Sequence, residues 1–178
     1  MIEIRKPNLE PKVDGIPKDF ADVRDYFNKA LQEQAKTFHW IPRKTKITND
    51  EITKLWIPSL DTNICLVAEL NKSIIGSATC FFDPSSTAYE QAQERKIGEI
   101  GLSVNPERNH RMVGYLILEE MIKELKGQGK KAFFHTDSKF DEEIWMMKDF
   151  GYEGTLIEDY ERYKKAGLSG KVYEYELP

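Results

Sequence analysis

Hydrophobic and polar residues repeat along the chain with two periods, and these periods predict alternating strands and helices. Between residues 17 and 36, apolar side chains recur at helical spacing and predict a first helix; they are Phe20, Val23, Phe27, Ala30 and Leu31. Short apolar runs predict strands at residues 2–5, 64–70, 73–82, 97–104 and 131–136. Asn71 and Lys72 separate two of these runs, which predicts a hairpin.

Further helices are predicted from their start and stop signals. Thr48 and Glu51 have the spacing of a capping box, so a short second helix is expected to follow and to end at Pro58. A long helix is expected to begin near Met112 and to end at the Gly-Gln-Gly of residues 127–129. Its apolar stripe consists of Val113, Ile117, Leu118, Met121, Ile122 and Leu125.

The order of these elements predicts a mixed α+β architecture. The long helix joins strands 97–104 and 131–136, and such a crossover is right-handed and makes the two strands parallel neighbours. Residues 140–149 predict a shorter helix, and residues 152–163 and 171–177 predict a closing antiparallel hairpin. The polar segment before the parallel pair, residues 83–95, is expected to be a long loop.

Composition narrows the class of protein. With 40% hydrophobic and 31% charged residues, residues 1–178 fit one globular domain. No apolar run reaches the ~18 residues of a membrane span and no secretory signal begins the chain, so we expect a cytoplasmic protein without a membrane partner. The net charge of −4 argues against a nucleic-acid partner. Cys65 and Cys80 lie in apolar strands, so buried thiols and no metal site are expected.

One corner of the chain carries most of the chemical signal. In the segment VNPERNHRMVGYLILEE, residues 104–120, Pro106 ends a strand and the long helix follows, so unpaired backbone N–H groups converge where the helix dipole is positive. Gly114 removes a side chain from the first turn. Three basic side chains adjoin this helix start: Arg108, His110 and Arg111. The corner fits a pyrophosphate, and the alternative is an ordinary helix start with solvated arginines.

From about residue 64 to the C-terminus, the order of elements resembles the GNAT superfamily of acyl-CoA-dependent N-acetyltransferases. That family's signature follows a strand ending in V-x-P and reads Q/R-x-x-G-x-G/A, which here falls on residues 109–114. Asn109 replaces the first Gln or Arg, and Met112 replaces the first Gly. The positions that fit are Val104, Pro106, Arg111, Val113 and Gly114. The segment EIWMMKDFGYE, residues 143–153, also looks like a family motif, A-x-x-L-Y-E-K-L-G-F-E.

The resemblance implies a fold and a cosubstrate. The implied fold is a central, mostly antiparallel, twisted sheet of about seven strands with the one parallel pair, 97–104 and 131–136, and about four helices on its faces. The implied cosubstrate is acetyl-CoA, with its pantetheine between the two parallel strands and a backbone N–H near Leu102 or Ser103 on the thioester oxygen. The implied cofactor-binding residues are Leu102, Ser103, Val104, Asn109, His110, Arg111, Met112, Val113, Gly114 and Tyr115.

Transfer to an amine requires a base, because an amine with a pKa of ~10.4 is mostly protonated at neutral pH. Glu99 occupies the position of the carboxylate that many family members use as this base. Strand alternation places Gly101 and Ser103 on the same face as Glu99. The alternative interpretation of Glu99 is a solvated strand carboxylate.

The acid that protonates the leaving thiolate in many family members is a Tyr, and this chain has Met147 there. Water could serve instead, because a thiol with a pKa of ~8.5 leaves readily near neutrality. His135 and Tyr152 are the other catalytic candidates, although a lone strand His is also a common hydrogen-bonded structural residue.

We therefore expect an enzyme that transfers an acetyl group from acetyl-CoA to a primary amine by direct attack in a ternary complex. The acceptor could be a small amine or a protein amine, and a homodimer is compatible with the sequence. Two other classes remain open. Met147 and Met112 are also compatible with a non-catalytic acyl-CoA-binding or regulatory module, and a protein-interaction domain is the third reading.

Overall fold

The structure, a computed structural model, describes residues 1–32, 45–82, 97–108, 110–161, 164 and 170–178, and only the backbone of His110. The loop predicted at 83–95 and the end of the first predicted helix lie outside these residues. The strands are β1 (Glu3–Arg5), β2 (Lys12–Val13), β3 (Ile16–Pro17), β4 (Ile64–Leu70), β5 (Ser73–Phe81), β6 (Gly98–Val104), β7 (Ala132–Asp137), β8 (Thr155–Ile157) and β9 (Val172–Leu177). The α-helices are α1 (Lys18–Gln32), α2 (Asn49–Glu51), α3 (His110–Gln128) and α4 (Asp141–Asp149).

Seven strands form one sheet in the order β1-β4-β5-β6-β7-β9-β8. β6 and β7 are parallel, and the other neighbours are antiparallel. This sheet, its parallel pair and the four α-helices of the described residues confirm the predicted α+β architecture. The closing hairpin forms between β8 and β9, but β8 is much shorter than the strand predicted at 152–163. The sequence pattern missed the separate β2–β3 hairpin, because strands this short show no period.

Side chains of the central strands divide between two helical layers, because successive residues of a strand point to opposite faces. On one face, Leu66, Ile100 and Phe134 pack in the main core with the apolar stripe of α3. On the other face, Val67 and Ile74 pack with the apolar side of α1. No helix of the described residues is long and apolar enough to cross a membrane.

β6 and β7 separate soon after they begin to pair. Their register runs from Gly98 opposite Ala132 to Ile100 opposite Phe134, although β6 continues to Val104. Along that remaining length β6 still pairs with β5 on its other side. The two parallel strands therefore frame an opening at the end of the sheet from which α3 departs.

The hydrogen bonds at the two ends of β6 show which backbone groups face this opening. Gly98 N donates to Lys131 O at 2.9 Å, on the β7 side, and Asn105 N donates to a β5 carbonyl at 2.8 Å. Backbone groups alternate in direction along a strand, so the even-numbered residues of β6 point toward β7. The N–H and C=O groups of Leu102 and Val104 therefore face the opening, beyond the last pair with β7.

Helix boundaries differ from the predicted ones chiefly at the start of α3 and after α2. α3 begins at His110, slightly before the predicted start near Met112, and ends where Gly129 adopts φ of 62°. Thr48 caps α2 as predicted, with its side chain accepting from Glu51 N at 3.2 Å. Beyond α2 the chain continues as a π-helical segment, and Pro58 starts a 3-10 turn instead of ending the helix. The fixed φ of proline suits the first position of such a turn.

Both cysteines are free thiols in the sheet. Cys80 is fully buried, and Cys65 is partly buried. Burial raises the pKa of the Cys65 thiol to about 11 and raises the pKa of Cys80 as well. Both thiols are therefore protonated at neutral pH. The described residues contain no group of His, Cys, Asp or Glu side chains arranged to hold a metal ion.

Candidate functional site

Glu99 and His135 lie together where β6 and β7 begin to separate. Nδ1 of His135 is 3.9 Å from Oε1 of Glu99, and the residues are 6% and 2% exposed. Glu99 follows the strand alternation predicted for it, with Ile100 on the opposite, α3-facing side. The interpretation of Glu99 as a solvated carboxylate is wrong, because Glu99 lies on a central strand and its side chain is buried.

His135 has polar partners at both ends of its imidazole ring. Nε2 lies 2.7 Å from Oε2 of Glu174 in β9, and Nδ1 lies 3.3 Å from the hydroxyl of Tyr160. Burial by itself would lower the pKa of His135, but the hydrogen bond to Glu174 and the neighbouring Glu99 carboxylate outweigh burial and raise that pKa above its usual value. The imidazole is therefore biased toward its protonated form between two carboxylates.

The first turn of α3 carries an aromatic and cationic surface. The guanidinium carbon of Arg111 lies 4.3 Å from the centre of the Trp145 ring, within the range of a cation–π contact. Trp145 is 43% exposed and belongs to α4. The Tyr115 ring packs 4.6 Å from that of Phe150, and its hydroxyl donates to Asp149 at 2.9 Å. These contacts hold Arg111 and Tyr115 beside the corner.

The other residues predicted at the corner have different surroundings. Asn109 and the side chain of His110 lie outside the described residues. Met112 is 53% exposed, whereas Val113 is 1% exposed and part of the main core. Gly114 is buried, and an added Cβ would lie 3.7 Å from its nearest neighbour, an ordinary contact. Packing of the described residues therefore gives no reason for a glycine at 114.

The three predicted residues at the end of β6 contribute in two ways. The side chains of Leu102 and Val104 belong to the main core, so only their backbone groups face the opening. Ser103 points to the α1 face, where its Oγ is 2.7 Å from the Tyr26 hydroxyl and 3.1 Å from Oγ of Ser77. Burial raises the pKa of Tyr26 to about 12, so this hydroxyl cluster is uncharged at neutral pH. The cluster fixes α1 against the strand that frames the opening.

Position 147 supplies no acid, because a methionine side chain has no dissociable proton, and Met147 is fully buried in the main core. Sequence reasoning also missed four residues around the site, each far along the chain from the predicted residue that it contacts: Tyr26, Trp145, Tyr160 and Glu174. A weak sequence signal pointed to Glu174. It lies in a predicted strand, at a position where the alternation of apolar and polar residues places a polar one.

The sequence matches the family model described as the acetyltransferase (GNAT) family over residues 24–152. No curated protein sequence gives a significant match. Solved structures of low identity match almost the whole chain. An N-acetyltransferase from Staphylococcus aureus Mu50 is 18% identical, with a TM-score of 0.73 and coverage of 99% of this chain and 98% of its own.

Two further similar structures were solved with acetyl-CoA. The putative acetyltransferase yncA from Salmonella typhimurium is 18% identical, with a TM-score of 0.73 over 99% of this chain and 92% of its own. A phosphinothricin acetyltransferase from Sinorhizobium meliloti is 14% identical, with a TM-score of 0.71 over 99% of this chain and 88% of its own. Because these sequence identities are low, the structural similarity shows only that the fold is shared.

Proposed function

The chain belongs to the acetyltransferase (GNAT) family, whose model matches most of its length, and we propose that it is an N-acetyltransferase acting on a primary amine with acetyl-CoA as cosubstrate. One observation carries the proposal. The buried pair Glu99 and His135 lies at the point where two parallel strands open, and the first turn of α3 lies at the far end of that opening. A proton acceptor and an anion-binding helix start therefore adjoin one cleft.

The residues present fit acetyl-CoA in three respects. The backbone groups of Leu102 and Val104 face the opening and offer a β-strand edge to an extended pantetheine chain. The N-terminal amides of α3, with Arg111 beside them, suit a pyrophosphate. Gly114 keeps this turn free of a side chain although the described structure has room for one. Acetyl-CoA supplies the activated acetyl group, as a thioester.

Glu99 is the group proposed to take the proton from the acceptor amine. An ammonium group entering the opening would meet this carboxylate, which lies 3.9 Å from Nδ1 of His135. The amine must lose one proton before it attacks, since only the neutral form has a free electron pair. The Glu99 side chain is almost fully buried, which keeps the carboxylate away from bulk water.

The leaving thiolate does not depend on an acid from α4. Met147 cannot donate a proton, but a thiol with a pKa of ~8.5 leaves readily near neutrality. His135 can also return a proton, because its pKa is raised and it lies beside Glu99 at the start of the opening. Direct transfer therefore needs no covalent enzyme intermediate.

The acceptor class stays open between a small amine and a protein amine. One structural relative is a phosphinothricin acetyltransferase, and another is described as a ribosomal-protein-alanine N-acetyltransferase. We propose that this chain acts in the cytoplasm on one of these two classes, without a nucleic acid or a membrane as partner. We include assembly of this chain into a homodimer in the same proposal.

The buried Met147 and the exposed Met112 favour one second candidate, a non-catalytic acyl-CoA-binding module. A two-stage experiment separates the candidates. Calorimetry first measures acetyl-CoA binding, and thiol release is then followed with a panel of small amines, peptide N-termini and lysine peptides. Binding with turnover is the expected result. Binding without turnover on the whole panel favours the module, and absence of binding contradicts both.

A further inference from the structure

Glu174 is a carboxylate of the site that the proposed proton transfer does not use. β7 and β9 are antiparallel neighbours, and their register places Glu174 directly opposite His135. Directly opposed residues of such a pair project to the same face, close enough to touch. Oε2 of Glu174 is 2.7 Å from Nε2 of His135, a distance typical of a charge-assisted hydrogen bond.

The two ends of the imidazole have different environments. The Glu174 side chain is 20% exposed, and that of His135 is 4% exposed, so Nε2 points to the edge of the cluster. Nδ1 points inward, toward Oε1 of Glu99 at 3.9 Å and the Tyr160 hydroxyl at 3.3 Å. Titratable groups thus face His135 from β6, from β9 and from the segment after β8. The aromatic ring of Phe133 lies on the remaining side, 4.9 Å away.

Building on the proposed acetyltransferase function, we propose that Glu174 is a positioning residue, which accepts a hydrogen bond from Nε2 of His135 and thereby presents Nδ1 to Glu99 and Tyr160. A carboxylate only accepts hydrogen bonds, so Nε2 must carry a hydrogen in both protonation states of the imidazole. Nδ1 is then the ring nitrogen that gains or loses the proton.

This arrangement extends the path of the amine proton by one step. While His135 is neutral, Glu99 can pass the proton that it takes from the acceptor to the lone pair of Nδ1, which restores the Glu99 carboxylate and makes His135 an imidazolium. Glu174 stabilises that imidazolium through its negative charge, as a carboxylate behind a catalytic imidazole does in hydrolases. Tyr160 donates to Nδ1 while the imidazole is neutral.

Nitrogen-15 NMR of the histidine side chains tests the arrangement without substrate. The chain has three histidines, so the His135→Gln variant identifies the His135 signals. In the wild type we expect Nε2 to stay protonated across the titration while Nδ1 changes state. In Glu174→Gln, which removes the charge and keeps the size, the pKa of His135 should fall by roughly one unit or more.

Glu176→Gln is the matched control. Glu176 lies on the same strand and face of β9, but its carboxylate is 70% exposed and lies 3.8 Å from Nζ of Lys131, away from His135. We expect this variant to leave the pKa of His135 and the turnover unchanged. Glu174→Gln should lower kcat by roughly 10-fold or more with little change in KM for acetyl-CoA, a part of the ~10²–10⁴-fold that an acid–base group contributes.

Two results would overturn the role of Glu174. One is a neutral His135 in the wild type with its hydrogen on Nδ1, a measurement that needs no variant and survives any folding defect of Glu174→Gln. The other is a folded Glu174→Gln with wild-type kcat and an unshifted limb of the pH profile. A wild type that acetylates no amine contradicts the proposed function instead, and the NMR experiment still decides the tautomer.

Discussion

At the scale of single residues, the site combines a buried carboxylate with a buried imidazole. Glu99 and His135 are almost inaccessible, and an ionised carboxylate in such surroundings needs a partner of opposite charge. The protonated form of His135 is that partner at 3.9 Å. The pair therefore keeps a carboxylate in a part of the protein that bulk water barely reaches.

The replacement Glu99→Gln tests the base directly. Glutamine keeps the size and hydrogen bonding of the side chain but accepts no proton, so turnover should fall by roughly 10²–10⁴-fold while acetyl-CoA affinity is unchanged. The measurement is kcat/KM against pH with two amines of different basicity. A limb that follows the amine belongs to the acceptor, and a fixed limb that disappears in the variant belongs to the enzyme. Near wild-type turnover would make Glu99 structural and leave His135 as the next residue to test.

Gly114 is the second residue whose proposed role a single substitution can test. A glycine inside a helix costs about 0.5–1 kcal/mol relative to alanine, and the described packing leaves room for a Cβ. Gly114→Ala should therefore raise the stability of the protein without ligand by about that amount in urea unfolding. Such a gain would support the proposal that this glycine serves a ligand bound at the turn.

The replacement Gly114→Glu adds bulk and negative charge at the proposed pyrophosphate seat. Acetyl-CoA should stabilise the wild type by about 2.7 kcal/mol at a hundredfold excess over its dissociation constant, and this stabilisation should vanish in the variant. Thermal unfolding with and without acetyl-CoA measures the effect, and Gly114→Ala controls for the loss of the glycine alone. A full ligand shift in Gly114→Glu would show that the phosphates bind elsewhere.

At the scale of elements, periodicity predicted the strands and helices that carry the site. The parallel pair followed from a strand, a long helix and a second strand, and Glu99 was placed on the correct face by alternation alone. The separation of β6 from β7 after Ile100 could not be predicted, because it depends on register between strands that are distant in sequence. The partner of His135 was missed for the same reason, since Glu174 is 39 residues away along the chain.

The contact between β5 and α3 depends on a close approach that the sequence did not reveal. A Cβ on Gly76 would lie 2.7 Å from Cγ1 of Val113 and 2.9 Å from Cδ1 of Ile117, both shorter than normal contacts. Gly76→Ala should therefore destabilise the protein by about 1–3 kcal/mol in urea unfolding. Gly114→Ala is again the control, with no contact shorter than 3.7 Å. Unchanged stability of Gly76→Ala would mean that the two α3 side chains move aside at little cost.

At the scale of the whole molecule, the two faces of the sheet carry different kinds of side chain. The α3 face is an apolar core that includes Leu102 and Met147, and it holds the sheet and the helix start together. The α1 face carries the polar groups, among them Glu99, Ser103 and His135. The charge state of the buried His135 cluster is therefore part of the stability of the fold as well as of the proposed chemistry.

The pH dependence of stability tests the charge state of His135 in the folded protein. Its pKa is raised above the unfolded value of about 6.5, because Glu174 and Glu99 outweigh burial. Below about pH 6.5 the imidazole is protonated in both states, so its full stabilising contribution is present there. Above that pH the folded state binds more protons than the unfolded state, and the contribution is lost as pH rises through the folded pKa.

The free energy of unfolding of the wild type, minus that of His135→Gln, should therefore be largest under mildly acidic conditions. It should decline as pH rises above about 6.5 and level off once pH exceeds the folded pKa. Urea unfolding of both proteins from about pH 5.5 to about pH 9 measures this difference, and the other two histidines cancel because both proteins contain them. A difference that grows with pH would mean that burial dominates and that His135 is neutral in the folded protein.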